Sequence, residues 1–246
     1  MIEQPLLSIS IVSHGQGGLI ASLLADLLRL RQANALCCEI ILTLNIPENE
    51  AFLQSFSDLG LKVIRNERPK GFGANHNAAF QESSGKFFVV VNPDIRIQSL
   101  EAQDLIAPFQ NPDVSAVAPL VLSGDGQLED NARRFPTLFR FAKRVLFRER
   151  RPDYNFGATT IAVDWVAGMF VVFRQETYKT LGGFDDRRFF MYLEDADICR
   201  RMHKNGAKVV INPAVQVTHL AQRASRRNLT HMRWHAISAF RYLTGL

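Results

Sequence analysis

The chain has few cysteines, no long apolar run and no acid near its C-terminus, and each of these absences narrows its class. Its 246 residues contain three cysteines, Cys37, Cys38 and Cys199. Their spacing matches neither a zinc-ligand pattern nor an even disulfide framework, which favours a reducing compartment. No stretch approaches the ~20 consecutive apolar residues that a membrane-spanning helix needs, and residues 1–5 lack the basic start of a secretion signal. We therefore expect a cytoplasmic protein.

Positive charge is unevenly distributed along the chain, whose formal net charge is +5. No Asp or Glu follows Asp197, whereas nine Lys and Arg residues do. A second basic segment, residues 133–151, contains one acid, Glu149. This asymmetry indicates a polyanionic partner, which could be nucleic acid, anionic lipid or a phosphorylated substrate.

Strand and helix patterns alternate through the first half of the sequence. Apolar, β-rich segments lie at residues 6–12, 39–44, 61–64 and 87–91, with helical patterns at 19–30, 48–59 and 74–82. Such alternation predicts βαβ units and an α/β fold with a mostly parallel sheet. The second half is mixed, with strands predicted at 114–121, 161–173 and 207–211 and helices at 175–181 and 228–243. We expect a nucleotide-binding half (1–98), a mixed half (99–225) and a terminal basic amphipathic helix (226–246).

Three carboxylates fall within four residues, at Glu194, Asp195 and Asp197. Like charges this close repel, so a fold that keeps them usually uses at least one as a base or a binding group. The alternative is an acidic first turn of a helix, which the helix dipole favours. A second acid, Asp94, follows the predicted strand 87–91, and ligands of open α/β sheets bind at the carboxyl ends of the strands.

Asp94 suits a divalent cation that bridges a diphosphate, because Mg²⁺ commonly binds one or two carboxylates together with phosphate oxygens. An Asn-Pro-Asp turn that caps the next helix is the alternative. His219 follows a predicted strand and could supply a second ligand, although a lone histidine is more often structural. Residues 70–77 combine two glycines and two asparagines before a helix, which fits backbone approach to a ligand or a plain strand-to-helix turn.

Taken in order, these segments resemble the family 2 inverting glycosyltransferases of GT-A fold, and within them the bacterial rhamnosyltransferase-like branch. The segments are Ile9–Val12, Gly71–Asn77, Asn92–Asp94, Trp165–Gly168, Gly182–Asp185, Phe189–Asp197 and His219. The resemblance covers about residues 6–225. It implies metal-dependent, inverting transfer of a sugar to a hydroxyl of a glycan or of a polyprenyl-diphosphate-linked glycan, in bacterial surface polysaccharide synthesis. The donor that the branch implies first is dTDP-rhamnose. The alternatives are a UDP-sugar donor and a catalytically silent member that binds glycan or nucleotide.

The resemblance also implies a role for individual residues. Asp195 matches the catalytic base, and Asp94 with His219 would hold Mg²⁺ or Mn²⁺. The donor side would be lined by Ser13, Gly71, Asn75, Asn77, Asn92 and Asp94. The acceptor side would be lined by Trp165, Gly168, Glu194 and Asp197.

Two departures from the family pattern bear on the donor. Leu44 stands where we align the family's nucleobase-contacting aspartate, so recognition of the base must differ. Asn92 replaces the first acid of the DxD-type metal motif, which leaves one charge fewer at the cation. Both departures keep the silent-member alternative open.

The basic segment has a candidate partner in a membrane surface. Arg140, Arg144 and Arg148 recur at four-residue spacing with Lys143 beside them, and apolar residues lie between. A basic amphipathic helix of this kind predicts peripheral contact with an anionic membrane. No nucleic-acid-binding motif accompanies the charge, so we expect no nucleic-acid partner. For the terminal helix we expect ordinary packing on the core.

Overall fold

One mixed β-sheet carries residues from both halves of the chain. The computed structural model describes residues 4–33, 37–140, 152–220 and 229–245. The sheet contains β1 (Leu7–Ser13), β2 (Cys38–Leu44), β3 (Lys62–Arg65), β4 (Phe87–Val91), β5 (Ile95–Arg96), β6 (Val114–Ser123), β8 (Ile161–Val163), β10 (Phe170–Arg174) and β11 (Lys208–His219). A separate short pair joins β7 (Ala132–Arg133) to β9 (Trp165–Val166).

The strand order of the sheet is β3-β2-β1-β4-β10-β6-β11-β5, with β8 paired to β11. The pairs among β1 to β4 are parallel, as the alternating sequence pattern predicts. β10 is antiparallel to both of its neighbours, which gives the second half its mixed character. The sheet therefore continues across residue 98, and the division into two halves stays a prediction.

Six α-helices and two 3₁₀ helices are assigned within the described ranges. The α-helices are α1 (Gly17–Gln32), α2 (Phe72–Gln81), α3 (Ala102–Ile106), α4 (Gln175–Thr180), α5 (Glu194–Lys204) and α6 (Leu229–Thr244). The 3₁₀ helices are Ala51–Leu59 and Ala107–Gln110. Within the part of the chain that these ranges cover, no helix is both long and apolar enough to cross a bilayer.

Apolar side chains of β4 point alternately to the two faces of the sheet, and each face has its own core. Val89 and Val91 pack with the α1 side chains, including Leu23 and Leu27. Phe88 and Val90 belong to the opposite cluster, which includes Tyr242 of α6. This two-sided burial explains why β4 reads as a continuous apolar run. It also shows that the terminal helix packs on the core, as the sequence predicts.

Two predicted elements differ from the observed ones. The predicted helix 48–59 is the 3₁₀ helix Ala51–Leu59, whose buried residues Phe56 and Leu59 are three positions apart, the period of a 3₁₀ turn. The predicted strand 207–211 extends to His219 as β11 because a register shift between Asn212 and Gln216 accommodates Pro213. This extension carries His219 to the end of the strand.

The predicted basic helix of residues 133–151 is described only in part. Arg133 lies in strand β7 and not in a helix. Helical conformation is present at residues 138–140. Lys143, Arg144 and Arg148 lie outside the described residues.

Replacing Glu39 with glutamine is expected to lower the free energy of unfolding at neutral pH by about 1.5–3 kcal/mol, the contribution of hydrogen bonds to a charged group. Partial burial favours the neutral acid, but bonds from Lys62, Ser8 and Ser84 outweigh it and lower the pKa of Glu39 to about 2. Because this pKa is lower in the folded state, the stabilisation is complete above the unfolded pKa of about 4.3 and is lost as the pH falls towards 2.

Urea unfolding of the wild-type protein and Glu39→Gln between pH 7 and pH 2.5 tests this expectation. The difference in unfolding free energy should shrink below about pH 4.3. Exposed Glu101 provides a control position, where the same substitution should change little. A pH-independent difference at position 39 would mean that shape, and not charge, stabilises this site.

Candidate active site

A cavity of about 1660 Å³ opens at the carboxyl ends of the parallel strands. It is lined by residues that follow β1, β2 and β4, by the start of α5 and by α6. Of the residues predicted from sequence, the structure brings to this cavity Asn75, Asn92, Asp94, Trp165, Gly168, Glu194 and Asp195. The site therefore combines the predicted donor and acceptor sides in one space.

Asp195 lies in the first turn of α5, where the helix dipole favours a negative charge. Its Oδ2 accepts a hydrogen bond from the Gly168 amide at 3.1 Å, and its Oδ1 accepts one from the Ala196 amide at 2.8 Å. Burial raises the pKa of Asp195, while these two amides and the positive charge of Arg133 act in the opposite direction. The carboxylate is thus fixed in orientation and supported as an anion on the cavity wall.

Glu194 differs from its neighbour in its surroundings. Its side chain is buried, and its Oε2 has no hydrogen-bond partner among the described residues. Burial, with the Asp195 charge adding to it, raises the pKa of Glu194 well above its usual value. Two adjacent carboxyl groups share their titration, and the larger upward shift is that of Glu194. Asp195 is then the member of the pair that ionises more readily.

Asp94 and His219 form a second polar group, in which Asp94 lines the cavity, whereas His219 lies behind it and contacts Asp94 without lining the cavity itself. Asp94 follows β4, and His219 ends β11. The ring Nε2 of His219 lies 3.1 Å from Asp94 Oδ2, and its Nδ1 lies 2.8 Å from Glu129 Oε2. Burial alone would lower the pKa of His219, but the two carboxylates raise it to about 9. Glu129 has no recognisable signal in the sequence, because the folded loop after β6 brings it to the imidazole.

The pair formed by Asp94 and His219 fits a divalent cation. Asp94 Oδ1 is buried and has no hydrogen-bond partner among the residues described, so one carboxylate oxygen is not otherwise used. Oxygen and imidazole ligands are those that Mg²⁺ and Mn²⁺ accept. In the described ranges, no group of three or more His, Cys, Asp or Glu residues has the arrangement of a complete cation site. A cation held by Asp94 and His219 would therefore need further ligands, and His219 would exchange its bond to Asp94 for the cation.

A buried asparagine network shapes the loop before α2. The amide nitrogen of Asn66 donates to Asn45 Oδ1 at 3.0 Å and to Asn75 Oδ1 at 2.7 Å. Asn75 in turn donates to the Gly71 carbonyl at 3.0 Å. The loop that precedes α2 is therefore held by side-chain amides, and Asn75 combines a place on the cavity wall with this structural task.

At the end of β2, the residue that lines the cavity is Asn45, one position after Leu44. Leu44 is the last residue of β2, and its side chain is buried in the core. Asn45 follows it and lines the cavity beside His14. Because side chains alternate along a strand, a core-facing Leu44 leaves the cavity-facing position to Asn45. Asn45, and not Leu44, is therefore the residue that reaches the cavity at the end of β2.

Three residues of the predicted donor set do not line the cavity. The amide oxygen of Asn77 accepts from Tyr178 and from the Phe184 amide, and its nitrogen donates to the Phe184 carbonyl. Ser13 is fully buried, and its hydroxyl accepts from the Gln16 amide. These contacts correct the expectation of donor contact, because both side chains stabilise turns. The third residue, Gly71, borders the cavity through its neighbours Lys70 and Phe72.

Asp197, predicted on the acceptor side, also lies away from the cavity. Its Oδ2 accepts from Arg201 Nε at 2.7 Å, one helical turn further on, and its Oδ1 lies 3.5 Å from Arg188. Its side chain is 3% exposed. The structure therefore corrects this expectation, since the carboxylate is used in ion pairs that join α5 to the preceding loop.

Gly71 is needed for close approach of two backbones. A Cβ atom at this position would collide with the carbonyl oxygen of Phe190, and the neighbouring Phe72 amide donates to that same oxygen at 2.9 Å. Gly71→Ala is therefore expected to lower the free energy of unfolding by about 1–3 kcal/mol through overpacking. Urea unfolding monitored by circular dichroism measures this change.

Gly18→Ala is the matched control for Gly71→Ala. Gly18 lies within α1, and an added Cβ would have no atom within 4 Å. Alanine there should stabilise the protein by about 0.5–1 kcal/mol, because glycine disfavours a helix. Equal effects of the two substitutions would contradict the packing argument.

A strained turn directly precedes the carboxylate pair. Tyr192 and Leu193 have positive φ angles of 74° and 66°, a conformation that disfavours residues with a side chain by about 1–3 kcal/mol each. Contacts from α6 surround this turn: Tyr192 Oη lies 2.8 Å from His231 Nδ1, and Ser238 Oγ donates to the Met191 carbonyl at 2.8 Å. Sequence reasoning missed these α6 residues, although a segment with two histidines and a tryptophan, residues 231–235, was a visible signal.

Solved structures with a similar architecture define the fold class. The structure of GalNAc-T7 with UDP, GalNAc and Mn²⁺ matches with a TM-score of 0.66 and 18% identity, over 90% of this chain and 45% of that one. The mannosyltransferase PcManGT from Pyrobaculum calidifontis, in complex with GDP-Man and Mn²⁺, matches with a TM-score of 0.61 and 16% identity, over 98% and 65% of the two chains. This chain thus spans less than two thirds of either protein. The fold is that of the GT-A glycosyltransferases, as the resemblance in sequence implies.

Sequence comparison gives the family. A profile of the glycosyltransferase like family 2 matches residues 21–235. The rhamnosyltransferase WbbL of Escherichia coli K12 is 30% identical over 189 residues, which are 70% of each chain. The N-acetylglucosaminyl-diphospho-decaprenol L-rhamnosyltransferase of Mycobacterium tuberculosis is 27% identical over 206 residues, 79% of this chain and 67% of that protein. The chain belongs to glycosyltransferase family 2, and its enzyme class is glycosyltransferase.

Proposed function

We propose that this protein is a metal-dependent inverting glycosyltransferase that moves rhamnose from dTDP-rhamnose to a hydroxyl of a lipid-linked glycan in bacterial surface polysaccharide synthesis. One observation carries the proposal: Asp94 and Asp195 line the same cavity. Asp94 has a buried oxygen that no described residue hydrogen-bonds and that suits a cation, and Asp195 is an oriented carboxylate suited to a base. Inverting transfer needs both functions, on opposite sides of the carbon that reacts.

In this mechanism Asp195 accepts the proton of the acceptor hydroxyl while that oxygen attacks the anomeric carbon. The new glycosidic C–O bond forms as the bond to the diphosphate oxygen breaks, and the bonding electrons leave with the nucleoside diphosphate. Opposite-face attack inverts the anomeric configuration. Amides of Gly168 and Ala196 hold the base in place, which supplies orientation before reaction. A cation on Asp94 and His219 would neutralise charge on the departing diphosphate.

The donor assignment rests on the relatives. Both relatives described above are named as rhamnosyltransferases. Asn45 lines the cavity at the end of β2, but its amide oxygen accepts from Asn66 and from the Lys70 amide, and its nitrogen donates to the Lys70 carbonyl, so this side chain favours neither pyrimidine donor. A UDP-sugar donor stays the alternative within the enzyme class. A catalytically silent member is the alternative outside it.

The acceptor proposal uses the cavity rim. Phe139 and Arg140 line the cavity, and Leu138 and Phe139 are 74% and 77% exposed. Exposed apolar side chains beside a cationic one suit a polyprenyl diphosphate at an anionic membrane surface. The Mycobacterium tuberculosis relative is named for a decaprenol-diphosphate-linked acceptor. We propose peripheral contact at the cytoplasmic face, with no nucleic-acid partner.

A thermal-shift screen of dTDP-, UDP- and GDP-linked sugars, each with Mn²⁺ and with EDTA, tests the donor assignment. A ligand that binds only the folded state raises the free energy of unfolding, by about 2.7 kcal/mol at a ligand concentration 100 times its Kd, and therefore raises Tm. We expect the largest shift with dTDP-rhamnose and Mn²⁺. A larger shift with a UDP-sugar would select the alternative donor, and no shift with any donor would favour the silent member.

A further inference from the structure

The terminal helix α6 makes several contacts with the turn that carries the carboxylate pair. Tyr192 Oη lies 2.8 Å from His231 Nδ1, and the Tyr192 ring lies 5.1 Å from that of His235. Trp234 packs on Phe190 with ring centroids 4.9 Å apart. All five side chains line the cavity, so the helix touches the turn on the side where substrate would bind.

Hydrogen bonds from side chains to backbone carbonyls fix the helix to the residues that precede the turn. Arg241 Nη1 donates to the Arg188 carbonyl at 2.6 Å, and Arg188 Nη2 donates to the Arg241 carbonyl at 2.8 Å. Ser238 Oγ donates to the Met191 carbonyl at 2.8 Å. These bonds anchor the chain before the turn. The Tyr192 hydroxyl adds the contact closest to Asp195 along the chain.

The turn itself needs such support. Positive φ angles at Tyr192 and Leu193 are unfavourable for residues with side chains, and they persist where surrounding contacts over-determine them. Asp195 follows two residues after Leu193, so the direction of its carboxylate depends on this turn. Burial raises the pKa of Tyr192, which keeps its hydroxyl protonated and able to donate to His231.

We propose that His231, acting through its hydrogen bond to Tyr192, is a positioning residue for the base Asp195, so that the terminal helix completes the active site. The proposal rests on the function proposed above, because it takes Asp195 as the base. Misplacement of a reacting group by about 1 Å can slow a reaction by about 100-fold. Loss of a single supporting bond allows a smaller displacement, and we expect about a tenfold fall in kcat.

The test measures kcat and KM for donor and acceptor in His231→Ala, Tyr192→Phe and the double variant. We expect kcat to fall about tenfold in each single variant, with the donor KM and Tm close to wild-type values. The double variant should lose no more than either single one, since both substitutions remove the same bond. His231→Asn, whose amide oxygen can accept from Tyr192, should recover most of the activity. Met232→Ala, on an exposed face of the same helix, is the control.

The outcomes separate this inference from the function on which it rests. Wild-type kcat in His231→Ala, or additive losses in the double variant, would overturn the positioning role. A Tm loss that accounts for the fall in kcat and is not rescued by His231→Asn would assign His231 to stability alone. An Asp195→Asn variant with full activity would instead overturn the proposed base, whatever the His231 variants do.

Discussion

Asp195→Asn is expected to lower kcat by about 10²–10⁴-fold, the usual contribution of a general base. Asparagine has nearly the same shape, and its amide oxygen can accept from one of the two backbone amides, Gly168 or Ala196, while its nitrogen cannot accept from the other. It cannot take a proton from the acceptor hydroxyl. The overall fold and the donor KM should change little; Tm records the lost hydrogen bond, and single-turnover transfer with donor in excess measures the loss of rate.

Glu194→Gln is the matched comparison for Asp195→Asn. Burial and the neighbouring charge raise the pKa of Glu194 well above its usual value, which favours its uncharged form in the folded protein. The substitution should therefore cost much less activity than Asp195→Asn. If Glu194→Gln lowered activity more than Asp195→Asn, the assignment of Asp195 as the base would be wrong.

The pH profile of kcat/KM for the acceptor gives an independent check on the base. Burial raises the pKa of Asp195, and a base acts only when it is deprotonated. The value of kcat/KM should therefore fall as the pH is lowered through this raised pKa. The acidic limb of the profile should lie at a higher pH than an ordinary aspartate would give. Loss of this acidic limb in Asp195→Asn would support the assignment, and its persistence would contradict it.

Asp94→Ala is expected to lower kcat/KM by about 100-fold or more and to abolish the Mn²⁺-dependent part of donor binding. Asp94 supplies a buried oxygen that a cation could use, since it has no hydrogen-bond partner in the part of the chain that the structure describes. Without it, His219 would be the one protein ligand left from the proposed pair. Thermal shift and calorimetry with donor, in Mn²⁺ and in EDTA, measure the loss without relying on turnover.

Glu129→Gln distinguishes a cation site from a plain ion pair. Glu129 lies 2.8 Å from His219 Nδ1, on the side of the ring away from Asp94. A carboxylate in that place orients a ligating histidine, and its loss typically weakens metal affinity by 10–100-fold. We therefore expect a higher Mn²⁺ concentration for half-maximal donor binding in this variant. Donor binding by the wild-type protein that is as strong in EDTA as in Mn²⁺, with no change in Asp94→Ala or Glu129→Gln, would contradict the cation site.

Much of the fold could be predicted from the sequence because its signals are local. The apolar run of β4 and the alternation of strands with helices led to the parallel sheet, and Gly182 and Gly183 marked the end of α4. The antiparallel placement of β10 could not be read in this way. It depends on how the second half of the chain folds back between β4 and β6, which no local pattern encodes.

The candidate site was predictable where a motif borders a strand or helix end, and less so elsewhere. Asp94 and Asp195 were found because they follow β4 and begin α5. By residue type, Asn77 and Asp197 are equally suited to bind substrate. In the folded chain, however, Asn77 hydrogen-bonds to Phe184 and Asp197 pairs with Arg201. Glu129 comes to the site only through packing over a long sequence separation, so it had no signal in the sequence.

The most direct test of the central claim measures acceptor-dependent release of nucleoside diphosphate from dTDP-, UDP- and GDP-sugars, each with a polyprenyl-diphosphate-linked sugar as acceptor. The account predicts release from one donor class with Mn²⁺, its loss in EDTA, and its loss in both Asp94→Ala and Asp195→Asn. Release that persists in EDTA, or in Asp195→Asn, would contradict metal-dependent transfer with Asp195 as the base. If the folded wild-type protein released no nucleoside diphosphate from any donor, this result would contradict the proposed transferase activity.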